Sequence, residues 1–210
     1  KYVVERIKAR SHDGRMVPIS LVRLKDSKQD GKSKVLLYSY GAYKHSISPS
    51  FSASRFCLID RGITFAIAHI RGGGDLGDSW HTEGKKKLKK NTFLDYVACA
   101  NHLIEQRYTY KGGICFYGGS AGGLTGGAVA NLAPDLFFSM LILVGFLDSL
   151  TTMLNEKLPL TPGEWEMWGN PIKSKKYFEY IKSYSPYDNI DKKDYPSMLV
   201  TTSIFDNRVL

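Results

Sequence analysis

The chain has 210 residues, 43% hydrophobic and 23% charged, with 29 basic and 20 acidic side chains giving a net charge of +9. This is ordinary composition for a globular protein, with length for one sizeable core in one domain. The longest apolar stretch, residues 136–147, is broken by Ser139 and too short to cross a bilayer, so no membrane span is expected.

Residues 2–9 alternate in polarity and predict a strand. Ser11-His12-Asp13-Gly14-Arg15 predicts a turn around its Asp-Gly pair, and residues 17–24 alternate again, completing an antiparallel hairpin. Residues 26–33 form a polar loop, and the apolar run 34–40 predicts a buried strand. Residues 48–60 are helical in part, and 63–70 predict another buried strand. Phe93, Val97, Ala100, Leu103 and Ile104 fall at helical spacing and predict a helix over 91–106. Strands are expected at 113–118, 140–146 and 198–203, the last after a turn-rich segment, with a small-residue helix at 121–133. A hairpin followed by strands alternating with helices predicts an α/β fold. Its sheet is mixed and mostly parallel, with helices on both faces and the chemistry at the carboxyl ends of the strands.

Gly118-Gly119-Ser120-Ala121-Gly122 carries the sharpest signal. A strand runs into Ser120 and a glycine-rich helix leaves it, the context in which G-x-S-x-G marks a strained nucleophile elbow. The Ala121 N–H, at the start of that helix, is a candidate oxyanion donor. Asp206 follows the last predicted strand, where the acid of a Ser-Asp-His order would stand, although a loop Asp serves equally well as a turn residue. The histidines are His12, His45, His69, His81 and His102, all before Ser120. His69, at a strand end, is better read as structural than as the base. The expectation is that the chain stops before its histidine.

Glu164 and Glu166 lie beside Trp165 and Trp168. Carboxylates between aromatic walls suit a lysine or arginine side chain, and an exposed acidic loop over buried tryptophans is the plainer alternative. Arg71-Gly72-Gly73-Gly74 lacks the Lys-Ser/Thr of a phosphate loop and reads as a tight turn beside the active site. The cluster Lys85-Lys86-Lys87-Leu88-Lys89-Lys90 reads as solvated, or as a face toward an acidic partner domain. No stacking aromatics interleave with it, so no nucleic-acid or membrane partner is expected. No His/Asp/Glu cluster has ligand spacing, so neither metal nor cofactor is expected. Three cysteines are too few and too odd for a disulfide framework and suit a reducing, cytoplasmic compartment.

Taken together, these stretches resemble the prolyl oligopeptidase family of serine peptidases, and within it the oligopeptidase B branch. The resemblance rests on Ser11-His-Asp-Gly-Arg-Met-Val-Pro18, Tyr38-Ser-Tyr-Gly-Ala-Tyr43, Asp60-Arg-Gly62, Arg71-Gly-Gly-Gly-Asp-Leu-Gly77 with Trp80-His81, and Asn91-Thr-Phe-Leu-Asp-Tyr96. It continues through Gly118–Gly123, Pro134-Asp-Leu-Phe137, Leu158-Pro-Leu-Thr161 with Glu164-Trp-Glu166, Trp168-Gly-Asn-Pro171, Tyr184-Ser-Pro-Tyr-Asp-Asn189 and Asp206-Asn-Arg-Val209. These stretches keep their order from one end of the chain to the other.

The resemblance implies an α/β-hydrolase fold, C-terminally truncated, with residues 1–210 a partial catalytic domain. It implies Ser120 as nucleophile, Asp206 as triad acid, and Tyr40 as the hydroxyl that joins Ala121 N–H on the oxyanion. Glu164 matches the carboxylate that receives the basic side chain before the scissile bond, and Phe146 a wall of that pocket. Glu166 matches a second acidic position and Arg208 an anchor for the peptide backbone. The family's catalytic histidine, final strand and helix, and seven-bladed propeller are not matched. The implied activity is endopeptidase cleavage of short peptides after Lys or Arg, with the chain alone expected to be nearly inactive. Two competing readings are another serine hydrolase of this fold, such as an acylaminoacyl-peptidase or esterase, and an inactive truncated module.

Overall fold

The structure is a computed structural model that describes residues 1–206, 208 and 209. Strands β1 (Tyr2–Arg10) and β2 (Met16–Leu24) pair antiparallel from Tyr2↔Leu24 to Arg10↔Met16. The turn between them closes where Ser11 N–H donates to the Arg15 carbonyl at 2.8 Å. The sheet continues through β3 (Val35–Tyr38), β4 (Thr64–Ala68), β5 (Ile114–Gly119), β6 (Phe137–Leu143) and β7 (Ser197–Thr201). Its spatial order is β1-β2-β4-β3-β5-β6-β7, with β2 antiparallel to β4 and the pairs from β4 to β7 all parallel.

Period-two alternation sorts the central strands onto two faces. Val35, Leu37, Ala66, Ala68, Ile114 and Phe116 point to one face, where they pack with Phe93, Tyr96 and Leu103 of helix α3 (Lys90–Glu105) and with Leu124 and Val129 of α4 (Ala121–Leu132). Leu36, Phe65, Ile67 and Cys115 point to the other face and pack under Ile59 and Phe56 of α1 (Ala53–Ile59). Burying each large side chain stabilises by about 1.5–3 kcal/mol, so both layers contribute to holding the sheet. The predicted mixed sheet with helices on both faces is the observed arrangement, an α/β-hydrolase sheet.

Short helices α2 (Asp78–Thr82), α5 (Ser149–Leu154), α6 (Thr161–Trp168) and α7 (Lys175–Lys182) complete the described α-helices. None of these four was anticipated. Pro162 occupies the first turn of α6, where a missing N–H costs nothing. Strand β6 also ends earlier than its apolar run suggests. The Leu143 and Val144 carbonyls turn to accept from Ser120 N–H at 3.0 and 3.1 Å, and Val144 adopts φ 43°. Lys89 departs from the solvated reading of the basic cluster, since its side chain is fully buried.

A buried ion pair ties the front of the sheet to α3. Arg71, just after β4, donates to Asp95 of α3 through Nε at 2.8 Å and through its NH2 nitrogen at 2.6 Å. The Arg71 backbone N–H and the Ser11 hydroxyl donate to the same carboxylate, at 3.0 and 2.6 Å. Asp95 is completely buried and Arg71 nearly so. Asp13 also pairs with Arg71, through the NH1 nitrogen and through the NH2 nitrogen at 3.2 Å, so the guanidinium keeps a carboxylate without Asp95, whereas Asp95 has no other cation paired with it among the described residues. Arg71→Met, which strands the desolvated Asp95 carboxylate, is expected to lower unfolding stability by about 3–5 kcal/mol, and adding Asp95→Leu to recover most of it. Urea denaturation followed by circular dichroism checks this; equal midpoints for Arg71→Met and the parent would refute it.

Candidate active site

β5 ends at Gly119 and α4 begins at Ala121, leaving Ser120 alone in the turn at φ 53° and ψ −124°. That left-handed backbone is costly for a residue with a Cβ, about 1–3 kcal/mol, and persists only where the surroundings impose it. Here the Ser120 N–H is held by β6, and its carbonyl accepts from Gly123 N–H at 2.9 Å and Phe146 N–H at 3.0 Å. The flanking glycines allow the close approach. A Cβ on Gly118 would lie 2.9 Å from the Gly122 carbonyl oxygen, and one on Gly122 would lie 2.8 Å from that of Ser39. Among the described residues no carbonyl or side chain accepts from the Ala121 N–H, which opens the first turn of α4 beside Ser120. At the positive end of the helix dipole it is free to donate to an anionic oxygen.

Tyr40 follows β3 and packs on the same elbow, its Cα 3.4 Å from where a Gly122 Cβ would stand. Burial raises the Tyr40 phenol pKa above its ordinary value, and a hydrogen bond with the Ser120 side chain opposes the rise. Tyr40, Ser120, Ala121, Phe146, Glu164, Asp206 and Arg208 all line one cavity of about 530 Å³. They come from sequence positions far apart and meet at the carboxyl edge of the parallel strands.

Glu164 stands on one wall. Its Oε2 accepts from the Tyr43 hydroxyl at 2.6 Å and from Trp168 Nε1 at 2.8 Å. No described partner engages Oε1. Glu164 and Trp168 are one turn apart on α6, so the helix itself aligns donor and acceptor. Phe146 stacks against Trp168 at 5.6 Å between ring centroids, giving the cavity an apolar side. Burial and the neighbouring Glu164 carboxylate push the Tyr43 phenol far above its usual range, so Tyr43 is a donor at any working pH.

Asp206 follows β7. Its Oδ1 accepts from the backbone N–H groups of Val209 and Arg208, each at 2.9 Å. Those N–H groups, with the Arg208 charge behind them, hold its carboxyl below the usual aspartate value. Asp206 is therefore a preformed anion facing the same cavity as Ser120.

Two candidates lie elsewhere. Glu166 is not among the cavity-lining residues; its side chain is 84% exposed and pairs with Lys86 at 3.0 Å. His69 is buried in its own network, with Nδ1 2.7 Å from Asp75 Oδ1 and Nε2 2.9 Å from the Ser20 hydroxyl. No histidine is among the described residues that line the cavity. Sequence reasoning missed Tyr43, and it read Trp168 as an apolar wall beside Glu164 but not as a hydrogen-bond donor to it. The four-residue spacing of Glu164 and Trp168 was the available signal for that bond; nothing in the sequence pointed Tyr43 toward a residue on α6.

Comparison with known proteins places the chain among peptidases. The family described as the prolyl oligopeptidase family, Peptidase S9, matches residues 49–210. Dipeptidyl aminopeptidase BI of Pseudoxanthomonas mexicana is 46% identical over the whole chain, which spans 29% of that protein. Protease 2 of Moraxella lacunata is 46% identical over 98% of the chain and 30% of that protein. The chain is therefore less than a third of the length of these curated relatives. Among solved structures, oligopeptidase B from Leishmania major superimposes with a TM-score of 0.96 at 44% identity, covering 99% of this chain and 29% of that one. Oligopeptidase B from Trypanosoma brucei, solved in a closed form with covalently bound antipain, gives a TM-score of 0.96 at 45% identity and the same coverage.

The strain at the elbow can be measured directly. Ser120→Gly and Ser120→Ala both remove the hydroxyl, but only glycine is at ease at this φ. The glycine variant is expected to be the more stable by about 1–3 kcal/mol in chemical denaturation. An alanine variant at least as stable as the glycine one would show that the elbow stores no such strain.

Proposed function

The chain belongs to the prolyl oligopeptidase family, and on that premise we propose that it is the catalytic portion of a serine endopeptidase cutting short peptides after lysine or arginine. The observation that carries this reading is the Glu164 carboxylate, pinned through one oxygen by Tyr43 and Trp168 on the wall of the cavity that holds Ser120. A carboxylate fixed in this way can receive a guanidinium or ammonium head while Phe146 packs against its stem.

In the proposed mechanism the Ser120 Oγ attacks the scissile carbonyl carbon and passes its proton to a histidine supplied from outside these 210 residues. The tetrahedral oxyanion takes hydrogen bonds from the Tyr40 hydroxyl and the Ala121 N–H, a pair that surrounds Ser120. The histidine then protonates the leaving amine, an acyl-enzyme remains on Ser120, and water releases it by the reverse sequence. Asp206 orients that histidine and stabilises its charged form. Arg208 anchors the peptide backbone at the cavity mouth. Glu166, exposed beside Lys86, would serve a second basic residue by exchanging one cation for another. The histidine and the capping propeller belong, on this reading, to the remaining length that the relatives have and this chain does not span. The covalent antipain in the Trypanosoma brucei structure supports a nucleophile in this fold. Three unpaired cysteines suit work in the cytosol.

A second reading has one observation in its favour, the 46% identical relative named a dipeptidyl aminopeptidase. Substrates with blocked amino termini separate the two, since an endopeptidase accepts them and an enzyme that releases amino-terminal dipeptides does not.

In the full-length polypeptide, Glu164→Gln is expected to lower kcat/KM for arginyl amides by roughly 30-fold or more, from about 2–5 kcal/mol lost with one partner of a desolvated charge pair. Short uncharged acyl esters should lose little. Equal losses on both substrates, or none on the arginyl amide, would overturn the assignment. The 210-residue chain alone should cleave an Arg-Arg amide about 10⁶-fold more slowly than the full-length enzyme, the scale of losing a triad member. Ready turnover that disappears with Ser120→Ala would contradict the placement of the base outside this segment.

A further inference from the structure

Lys89 is the one lysine of the basic cluster that the solvated reading fails to describe. It lies between a tight turn, Lys86–Leu88, and the start of α3, with its side chain fully buried. Its ammonium forms no ion pair with a described residue. Asp95, the carboxylate that acts on it electrostatically, is already engaged by Arg71 and Ser11. Nζ instead donates to the Gly41 carbonyl at 2.6 Å, and stands 5.1 Å from the Trp168 ring centroid and 5.7 Å from that of Phe93.

Desolvating an ammonium costs several kcal/mol when no anion compensates it. Burial draws the Lys89 pKa down to about 7, with the Asp95 charge pulling the other way. Protonated or neutral, the amine still donates to the carbonyl. Two ring faces and one carbonyl recover part of that cost, but a neutral donor would satisfy the carbonyl more cheaply. The placement of its contacts points to a purpose. Gly41 directly follows Tyr40, and Gly41 itself is wedged at φ +75° with Thr92 and Ile70 against its Cβ position. Trp168, the ring beneath the ammonium, is also the donor that holds Glu164. One side chain thus touches both the segment bearing Tyr40 and the wall bearing Glu164.

We propose that Lys89 is a positioning residue, which fixes the Gly41 carbonyl so that the Tyr40 hydroxyl is held over Ser120 in the geometry the oxyanion requires. It acts through Tyr40 and touches no substrate. The inference rests on the proposed role of Tyr40 as an oxyanion donor and names what keeps that donor in place. A shift of about 1 Å in such a donor is enough to cost tenfold or more in rate.

The test is a double-mutant cycle in the full-length polypeptide with an arginyl amide substrate, using Lys89→Met, Tyr40→Phe and their combination. Lys89→Met is expected to lower kcat by about 10-fold with KM changed less than about twofold, and to change kcat by less than about twofold once Tyr40 is already Phe. A loss of equal size in both backgrounds, or a loss confined to KM, overturns the proposal. Tyr40→Phe alone without effect on kcat would instead sink the oxyanion role of Tyr40, so the two failures are distinguishable. Lys89→Gln keeps a donor without the charge and should retain more kcat than Met; should Met at this position not fold, Gln carries the same cycle.

Discussion

The left-handed backbone of Ser120 is the constraint on which the site depends. A serine at φ 53° relaxes unless both of its peptide groups are held. The carbonyls at the end of β6 hold the one before it, and the N–H groups of Gly123 and Phe146 hold the one after. The same bonds decide where β6 stops, how closely α4 packs on the sheet, and where Phe146 enters the cavity wall. Strand end, helix start and pocket wall are thus set together, and a change in one would move all three.

Behind that edge lies a layer of buried charge. Arg71, Asp95 and Lys89 are each nearly or wholly withdrawn from water, and they meet between α3 and the loops that follow β3 and β4. Arg71 and Asp95 meet in a two-pronged pair that draws in Ser11 and Asp13 from the hairpin turn. Lys89 has no such partner and spends its charge on a carbonyl and two rings. Well-packed apolar residues could fill the same space at lower cost. What the polar version adds is direction, since a hydrogen bond fixes an orientation that a methyl contact leaves loose.

The strands and the elbow were legible in the chain because their signals are local. Residues 2–24 alternate around an Asp-Gly turn, the central strands are short apolar runs, and glycines flank Ser120 at the spacing the turn demands. Local rules failed where a tertiary contact overrides them. Residues 144–147 are as apolar as a strand, yet the chain turns away there, where the Leu143 and Val144 carbonyls accept from Ser120 N–H. Lys89 sits in a run of lysines whose composition says solvent, and only the docking of α3 under Gly41 buries it. Glu164 was visible as a candidate, and its meeting with Tyr43, 121 residues away in sequence, was not. Asp206 and Arg208 were legible as residues, but their place beside Ser120 follows from β7 being parallel to β6, a fact of topology.

Strand β7 carries one part of the cavity and β5 another. β7 pairs in parallel with β6 from Ser139↔Ser197 to Leu143↔Thr201, and β6 in turn with β5. Asp206 follows the end of β7 while Ser120 follows the end of β5. The separation of the Asp206 carboxylate from the Ser120 hydroxyl is therefore a property of register across three strands. A slip of β7 by two residues would keep its side chains on the same faces, yet would carry Asp206 about 6–7 Å along the strand and away from the cavity.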